Sequence, residues 1–469
     1  MRYVGPVLLA IFLGFCAGTP TFALAQTIAP PSPGPQPTAT AAASAKPERW
    51  SLHAQLTNTQ QYHGAFPAAY SGGQSLTPNP DTAKTFDVTF FLGGRLWKGA
   101  EFYVNQEFDQ GFGLGNPGPD DAYNGTFGTA GYLSGEAFKL GEHKPYGRLH
   151  RYFLRQSFNF GGDAQTLEPD QNQLGESIDA NHLILTFGKF GVADVFDTNA
   201  YAHDPKNDFL NWSIIDMGAF DYAADAWGFT RGLSAEYARG RSTVRFGIFQ
   251  LSLVPNQPPI ERSFLRQFSP VVEFEEQTSF FGGRPGSIKL LGYGDDGFMA
   301  PYAQVTAAAT ATGTPPDLVP LRTSKHWKLG GGINLQQEIA AHVGFFSRLS
   351  AMNGTWESFD YADIDRSISA GLSLDGAMWR RPNDTFAIAG VANAISAPAQ
   401  QYLAAGGLGI TAGDGALSYA GERIVEAYYK LGITKNTAIT GDFQRVSNPA
   451  YNSARGPVSV YGLRLHVQI

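Results

Sequence analysis

The chain has 469 residues, 13% of them aromatic and 55 of them glycine, and its formal net charge at pH 7 is −7. This modest negative charge argues against a nucleic-acid partner, because binding to phosphates requires concentrated positive charge. The single cysteine is Cys16, so no disulfide framework is expected, and after the first residues no apolar run reaches the roughly 18 residues that a membrane helix needs.

The first 48 residues are predicted to lie outside the folded unit. Residues 1–25 combine a basic start at Arg2, an apolar stretch over 7–17 and a small-x-small site at Ala23-Leu24-Ala25, which predicts a cleaved signal peptide. Residues 26–48 are rich in Pro, Ala, Ser and Thr and are expected to be a disordered lead-in. Residues 49–469 show no linker or change in composition, so we expect one large unit there.

Period-two alternation of apolar and polar residues follows, in segments of about 9 to 13 residues. The first three segments are 50–60, 86–96 and 99–108, and the last is the closing stretch 458–469. Twelve more begin near residues 149, 183, 229, 244, 271, 287, 327, 342, 366, 385, 423 and 437, which makes sixteen. The pattern predicts an all-β fold, a transmembrane antiparallel β-barrel with both termini on the periplasmic side of the outer membrane of a Gram-negative bacterium. The segment boundaries also allow eighteen strands.

Three long stretches are not barrel wall. Residues 110–144 are rich in Gly, Pro and Asp and turn towards helix at 133–140, residues 190–226 carry closely spaced Asp, Asn and Tyr, and residues 300–321 are rich in Ala and Thr. Long loops in compact proteins are usually functional, so we expect them to fold inward or to cap the outer mouth. A solvated external loop is the alternative for each.

Catalytic patterns are weak in this sequence. No His-Glu-x-x-His, Gly-x-Ser-x-Gly or Cys/His metal spacing occurs. The stretch 113–118 matches the dinucleotide-binding pattern, but Pro117 is not followed by a helix start, so a loop is the interpretation. Asp360, Asp363 and Asp365 could bind a cation, although an exposed acidic turn is the preferred interpretation. The sequence therefore predicts no enzyme, no cofactor and no metal site.

Several motifs are similar to those of a known family. They are Tyr70 to Leu76, Trp97 to Tyr103, Phe153 to Gln156, Gly188-Lys189-Phe190 with the Asp, Asn and Tyr residues that follow up to Asn211, and Tyr461 to Leu465. With them the chain resembles the carbohydrate-selective outer-membrane porins of the OprB type over nearly all of residues 49–469. The resemblance implies a monomeric or homotrimeric barrel that lets small carbohydrates diffuse into the periplasm. Its other partners would be outer-membrane lipid and lipopolysaccharide, and the barrel-assembly machinery.

The candidate channel residues fall into two groups. A sugar presents hydroxyls and an apolar ring face, so a selective pore needs charged and amide groups interleaved with aromatic groups, each making weak contacts. Alternation places the first group in the lumen, and the second follows in the loop after Lys189. The first group is Arg95, Glu101, Tyr103, Glu107, Arg151, Arg155 and Lys189, and the second is Asp197, Asn199, Tyr201, Asp204 and Asn211. For each of them, an ion pair or hydrogen bond that fixes an inward loop to the wall is the alternative role.

Other functions remain open at this point. A polysaccharide exporter would require a lumen of more uniform charge, whereas here both signs occur. A non-selective general porin is the nearest alternative to a sugar channel, and a barrel enzyme or adhesin is a third class.

Overall fold

The computed structural model describes residues 48–115, 127–137, 141–360 and 363–469. The predicted signal peptide and all of the predicted lead-in except residue 48 lie outside these ranges, as do 116–118 of the dinucleotide-like stretch. Of the helix predicted around 133–140, the described residues form one 3-10 turn at Gly135–Ala137. None of the helices within the described ranges is both long enough and apolar enough to cross a membrane.

Sixteen strands form one closed antiparallel barrel, as the alternation predicts. Each strand pairs with its neighbour in the chain, except that β4 pairs with β7, and β1 closes the barrel against β18. The barrel strands are β1 (Trp50–His63), β2 (Asp81–Trp97), β3 (Ala100–Phe112), β4 (Glu142–Asn159), β7 (His182–Phe190), β8 (Thr230–Arg239), β9 (Ser242–Gln250), β10 (Phe268–Thr278), β11 (Gly286–Phe298), β12 (Lys325–Ala340), β13 (Val343–Met352), β14 (Arg366–Asp375), β15 (Thr385–Ala394), β16 (Glu422–Thr434), β17 (Thr437–Ser447) and β18 (Val458–Gln468).

The two faces of the wall differ in polarity. Along β1, Trp50 and Leu52 are exposed on the outside, while Gln55 and Thr57 are buried on the inside. The same alternation recurs in the other strands, because a strand between lipid and a polar lumen must present one face to each.

One irregularity changes the direction of side chains in β4. Opposite β3, Asn105 pairs with Arg151 and Gln106 pairs with Leu149, so His150 is the extra residue of a β-bulge. A bulge shifts the alternation by one residue. As a result, Leu149 points outward while both His150 and Arg151 point inward.

The two remaining strands, β5 (Ala164–Leu167) and β6 (Glu176–Asp179), form a hairpin that we call the terminal-side hairpin. It connects β4 to β7 at the end of the barrel where the chain termini lie, since Glu48 N donates to Gly175 O and Gln468 Nε2 donates to the Asp170 carboxylate. None of the alternating segments of the sequence predicts this hairpin.

The helices are short and lie in the connections. They are α1 (Trp212–Ile215), α2 (Phe280–Gly283), α3 (Tyr302–Thr312) and α4 (Ala397–Ala404), with further 3-10 turns at Val319–Leu321, Gly376–Trp379 and Pro449–Tyr451. α3 occupies the Ala/Thr-rich stretch 300–321, and it packs against α4 at the end of the barrel opposite the termini.

The barrel interior contains a packed core. The connection between β7 and β8, residues 191–229, folds inward and is mostly buried, and we call it the inner segment. Its aromatic side chains, among them Phe196, Trp212 and Phe220, pack against wall residues such as Phe249 and Tyr293. This confirms that residues 191–226 are not barrel wall and fold inward, whereas residue 190, the first of the predicted stretch, still belongs to β7.

The interpretation of Asp360, Asp363 and Asp365 as an exposed acidic turn is wrong. All three side chains are buried, with at most 6% of their surface exposed. Backbone N–H groups of other loops bind two of them: Thr411 N donates to Asp363, and Ser396 N donates to Asp365. Hydrogen bonding to N–H groups compensates the loss of water around these carboxylates.

Candidate channel and its constriction

The inner segment is fastened to the wall by a buried ion pair at its centre. Arg348 of β13 donates through Nε to Asp197 Oδ1 at 3.0 Å and through its two Nη atoms to three backbone carbonyls of the segment. Asp197 has φ +56°, and its second carboxylate oxygen accepts from Met217 N at 2.6 Å. Asn334 Nδ2 also donates to Asp197, at 2.6 Å. One guanidinium and one carboxylate therefore tie together residues 197–217.

Wall carboxylates also bind backbone N–H groups of the inner segment and of neighbouring loops. Glu426 of β16 accepts from Leu210 N and Asn211 N at 2.5 and 3.0 Å. Glu422 accepts from Gly131 N and from two further loop amides. Irregular backbone is buried only where its N–H groups find acceptors, so these carboxylates explain how loops occupy the lumen.

Most attachments of the inner segment lie between β10 and β18, and Lys206 of the segment also pairs with Asp87 of β2 at 2.7 Å. Side chains of eight strands between β10 and β18 bind the inner segment directly. They are Glu273, Lys289, Asn334, Arg348, Asn393, Glu426, Gln444 and Arg464.

The structure brings the five predicted loop residues together in the inner segment, but three of them serve its attachment. Asp197, Asn199 and Asn211 are at most 4% exposed. Asn199 Nδ2 donates to Asn334 Oδ1, and Asn211 caps α1 by accepting from Ser213 N. These contacts correspond to the loop-fixing role that was the alternative for each residue.

The other two loop residues are half-buried. Asp204 accepts from Lys206 N and Asn207 Nδ2 and so shapes its own turn. Tyr201 lies against the wall near Gly344, and burial raises its pKa to about 12. Both keep part of their side chains accessible.

Four of the predicted wall residues lie together beside the terminal-side hairpin. Arg95 contacts Glu101 at 3.0 Å and Glu176 of the hairpin at 2.7 Å. Tyr103 donates to Glu101 at 2.6 Å and accepts from a hairpin amide. The guanidinium of Arg155 lies 5.2 Å from the centre of the Tyr103 ring and donates to a hairpin carbonyl. This cluster lines the lumen at the end where the termini lie, and the hairpin partly occupies it.

Arg151 and Lys189 lie nearer the other end, where the inner segment leaves and rejoins the wall. Arg151 forms a two-point ion pair with Asp194, with nitrogen to oxygen distances of 2.6 and 2.7 Å. This pair is accessible: 19% of the Arg151 side chain and 31% of the Asp194 side chain are exposed. Burial raises the pKa of Asp194, but the charge and hydrogen bonds of Arg151 outweigh that effect and lower it overall. Lys189 pairs with Asp225 at 2.8 Å.

Aromatic groups stand directly beside these charges. The Arg148 guanidinium lies 3.3 Å from the centre of the Trp227 ring, and Trp227 Nε1 donates to Tyr146. Arg151 lies 4.6 Å from the centre of the Phe229 ring. We call Tyr146, Arg148, Arg151, Asp194, Trp227 and Phe229 the charged aromatic cluster.

Sequence reasoning missed Arg148 and Trp227. Arg148 lies before the bulge and Arg151 after it, so a single unbroken alternation selects only one of them. All five candidates taken from the loop lie upstream of Trp227, and only the return of the chain to the wall brings Trp227 next to β4.

Glu107, the remaining predicted residue, is buried on the inner face of β3. Thr89 Oγ1 donates to it at 2.7 Å, and His150 lies 3.9 Å away.

One family model and one solved structure agree with this architecture. The model of the family described as "Carbohydrate-selective porin, OprB family" matches residues 73–469. The high-pH structure of Pseudomonas putida OprB is 15% identical, covers 90% of this chain and 94% of that one, and has a TM-score of 0.66. The low-pH structure of the same protein is 12% identical, covers 90% of this chain and 93% of that one, and has a TM-score of 0.46. The outer-membrane channel DcaP of Acinetobacter baumannii is 8% identical, covers 90% of this chain and 97% of that one, and has a TM-score of 0.48. No sequence among the curated proteins matches the chain.

Proposed function

The chain belongs to the OprB family of carbohydrate-selective porins, and from this premise we propose that small carbohydrates diffuse passively through its barrel into the periplasm. The fold is that of an outer-membrane channel. The observation that carries the sugar preference is the charged aromatic cluster, which places an accessible ion pair, a second guanidinium and aromatic rings at one level of the lumen.

The chemistry of this cluster suits a sugar. The Arg151 and Asp194 side chains offer donors and acceptors for hydroxyls, and the half-buried ring of Phe229 provides apolar surface beside them, while the buried Trp227 ring supports Arg148. Because the charges already bind each other, a solute exchanges hydrogen bonds with them and gains little net energy. Weak binding of this kind lets a solute leave as readily as it enters.

The same cluster argues against an exporter of a charged polysaccharide, since both signs of charge stand at this level of the lumen. A non-selective general porin is the alternative that needs an experiment. We also propose that residues 1–25 direct export, that residues 26–48 form a periplasmic lead-in, and that the barrel-assembly machinery inserts a monomer or homotrimer among outer-membrane lipid and lipopolysaccharide.

The test is single-channel conductance of the refolded protein in a planar bilayer, titrated with glucose, a disaccharide and a neutral polymer of similar size without sugar hydroxyls. We expect saturable block by sugar and none by the polymer. Arg151→Gln should weaken this block about tenfold, since removing a charged hydrogen-bond partner costs about 1.5–3 kcal/mol.

Arg445→Gln is the matched control, because Arg445 lies exposed on the outer face of β17 and donates to Ser459. Equal exclusion of all three solutes would establish a general size filter and refute the sugar preference. Unchanged block in Arg151→Gln would remove the charged aromatic cluster from the binding site.

A further inference from the structure

The bulge in β4 directs a histidine towards two carboxylates. His150 is the extra residue of the bulge, and 1% of its side chain is exposed. Within the described part of the chain, neither ring nitrogen of His150 makes a hydrogen bond. Buried polar atoms nearly always have a hydrogen-bond partner, so a buried imidazole whose two nitrogens make no hydrogen bond is unusual and needs a physical explanation.

The carboxylates belong to β3. Glu107 and Asp109 are two residues apart and therefore project from the same face of the strand. His150 Nε2 lies 3.5 Å from Asp109 Oδ2 and 3.9 Å from Glu107 Oε1. One ligand atom from each residue lies within 4.8 Å of the other two.

Neighbouring groups fix the orientation of this set. Thr89 Oγ1 donates to Glu107 Oε2 at 2.7 Å. The His150 ring stacks on Phe229, with centroids 4.5 Å apart and planes 27° apart. Supporting contacts of this kind orient the ligands of metal sites.

We propose that Glu107, Asp109 and His150 bind a divalent first-row transition cation, with Zn²⁺ as the representative, in the wall of the lumen. Two ligand atoms of one tetrahedral zinc ion, each about 2.0–2.2 Å from the metal, lie about 3.3 Å apart. The separations of 3.5 and 3.9 Å from the imidazole are close to that value, and the two carboxylate ligand atoms lie within 4.8 Å of each other.

The donor set also decides the class of ion. Two carboxylates supply negative charge to the site, and an imidazole nitrogen favours a transition metal over Ca²⁺ or Mg²⁺, which prefer oxygen ligands. Three protein ligands leave a fourth position for water or a solute group. A bound cation would add positive charge to the lumen beside Arg151, so we expect it to reduce the cation conductance of the pore.

The alternative is that a protonated His150 forms an ion pair with the carboxylates, and the two are distinguished by measuring metal directly. The refolded full chain is stripped with EDTA, dialysed against micromolar Zn²⁺ and analysed for zinc by mass spectrometry. We expect one zinc ion per barrel, and the d–d absorption of a Co²⁺-substituted sample should indicate a four-coordinate site.

His150→Gln should weaken zinc binding by at least about tenfold. His182→Gln is the matched control, because His182 is also buried in the wall and lies 3.5 Å from Glu236. Asp109→Asn repeats the test if His150→Gln does not refold. Absence of stoichiometric zinc in the wild type, or equal zinc in the wild type and both ligand variants, would overturn the proposal. Neither result depends on whether the pore prefers sugars.

Discussion

Replacing Arg348 by methionine should detach the inner segment while leaving the barrel closed. Arg348 is 2% exposed and makes four hydrogen bonds to the segment, two of them to Asp197. Methionine fills a similar length but donates nothing, so the Asp197 carboxylate loses its buried cation and three backbone carbonyls of the segment lose a donor.

The size of the effect follows from the burial of the pair. Removing one partner of a buried ion pair costs about 3–5 kcal/mol, because the other charge is left uncompensated. This corresponds to a change of roughly 10²- to 10⁴-fold in the equilibrium between attached and detached segment. The ladders of the sixteen strands are not altered by the substitution, so the cost falls on the segment.

Two measurements test this expectation. Amide hydrogen exchange should accelerate by a similar factor at Met217, whose N–H donates to Asp197, and single-channel recordings should show more frequent high-conductance states. Arg445→Met on the outer face is the control. If the Met217 amide exchanges at the wild-type rate in Arg348→Met, the ion pair does not hold the segment and the reasoning is refuted.

Two further predictions concern the inner segment and the terminal-side hairpin. Burial, together with the nearby Asp197, raises the pKa of Asp216 to about 7, above its ordinary value near 4, so the folded state keeps an extra proton between these values and its stability falls as pH rises through that window. Asp216→Asn should reduce this fall, measured as the unfolding temperature between pH 4 and pH 8, although other buried carboxyls such as Asp363, whose pKa burial raises to about 6, also contribute to it; an unchanged pH slope would exclude Asp216 as a source. Replacing residues 165–178 by a short Gly-Ser turn removes the contacts of Glu176 with Arg95 and should raise the single-channel conductance while the barrel stays heat-resistant; unchanged conductance would mean that the hairpin does not restrict the pore.

The barrel could be predicted from the sequence because lipid and lumen impose opposite polarities on the two faces of every strand. Alternation such as that of Trp50, Leu52 and Gln55 is a local property, so it can be read without tertiary information. The terminal-side hairpin could not be predicted in this way, because its strands have only four residues each, and four residues are too few to show period-two alternation.

The functional residues could be predicted only in part. Aspartate and asparagine side chains, such as those of Asp197 and Asn211, suit both solute binding and loop attachment. Which of the two roles each residue has depends on partners far away in the sequence, such as Arg348 and Glu426. The bulge at His150 shifts the inward and outward alternation of β4 by one residue, and no pattern in the neighbouring sequence indicates that a bulge is present. The burial of Asp363 could not be predicted either, because the backbone amide that binds its carboxylate belongs to Thr411, in a loop distant in sequence.

The attachment of the inner segment is densest between β10 and β18, so different regions of the wall differ in their tolerance to change. Between β10 and β18, a substitution such as one at Glu426 disturbs the packing of the whole interior. On β4 and β7, residues such as Arg148 and Lys189 contact only the margins of the segment. We therefore expect a substitution at the exposed Arg148 to cost less stability than one at Glu426, which makes this part of β4 the place to redesign the pore for a different cargo.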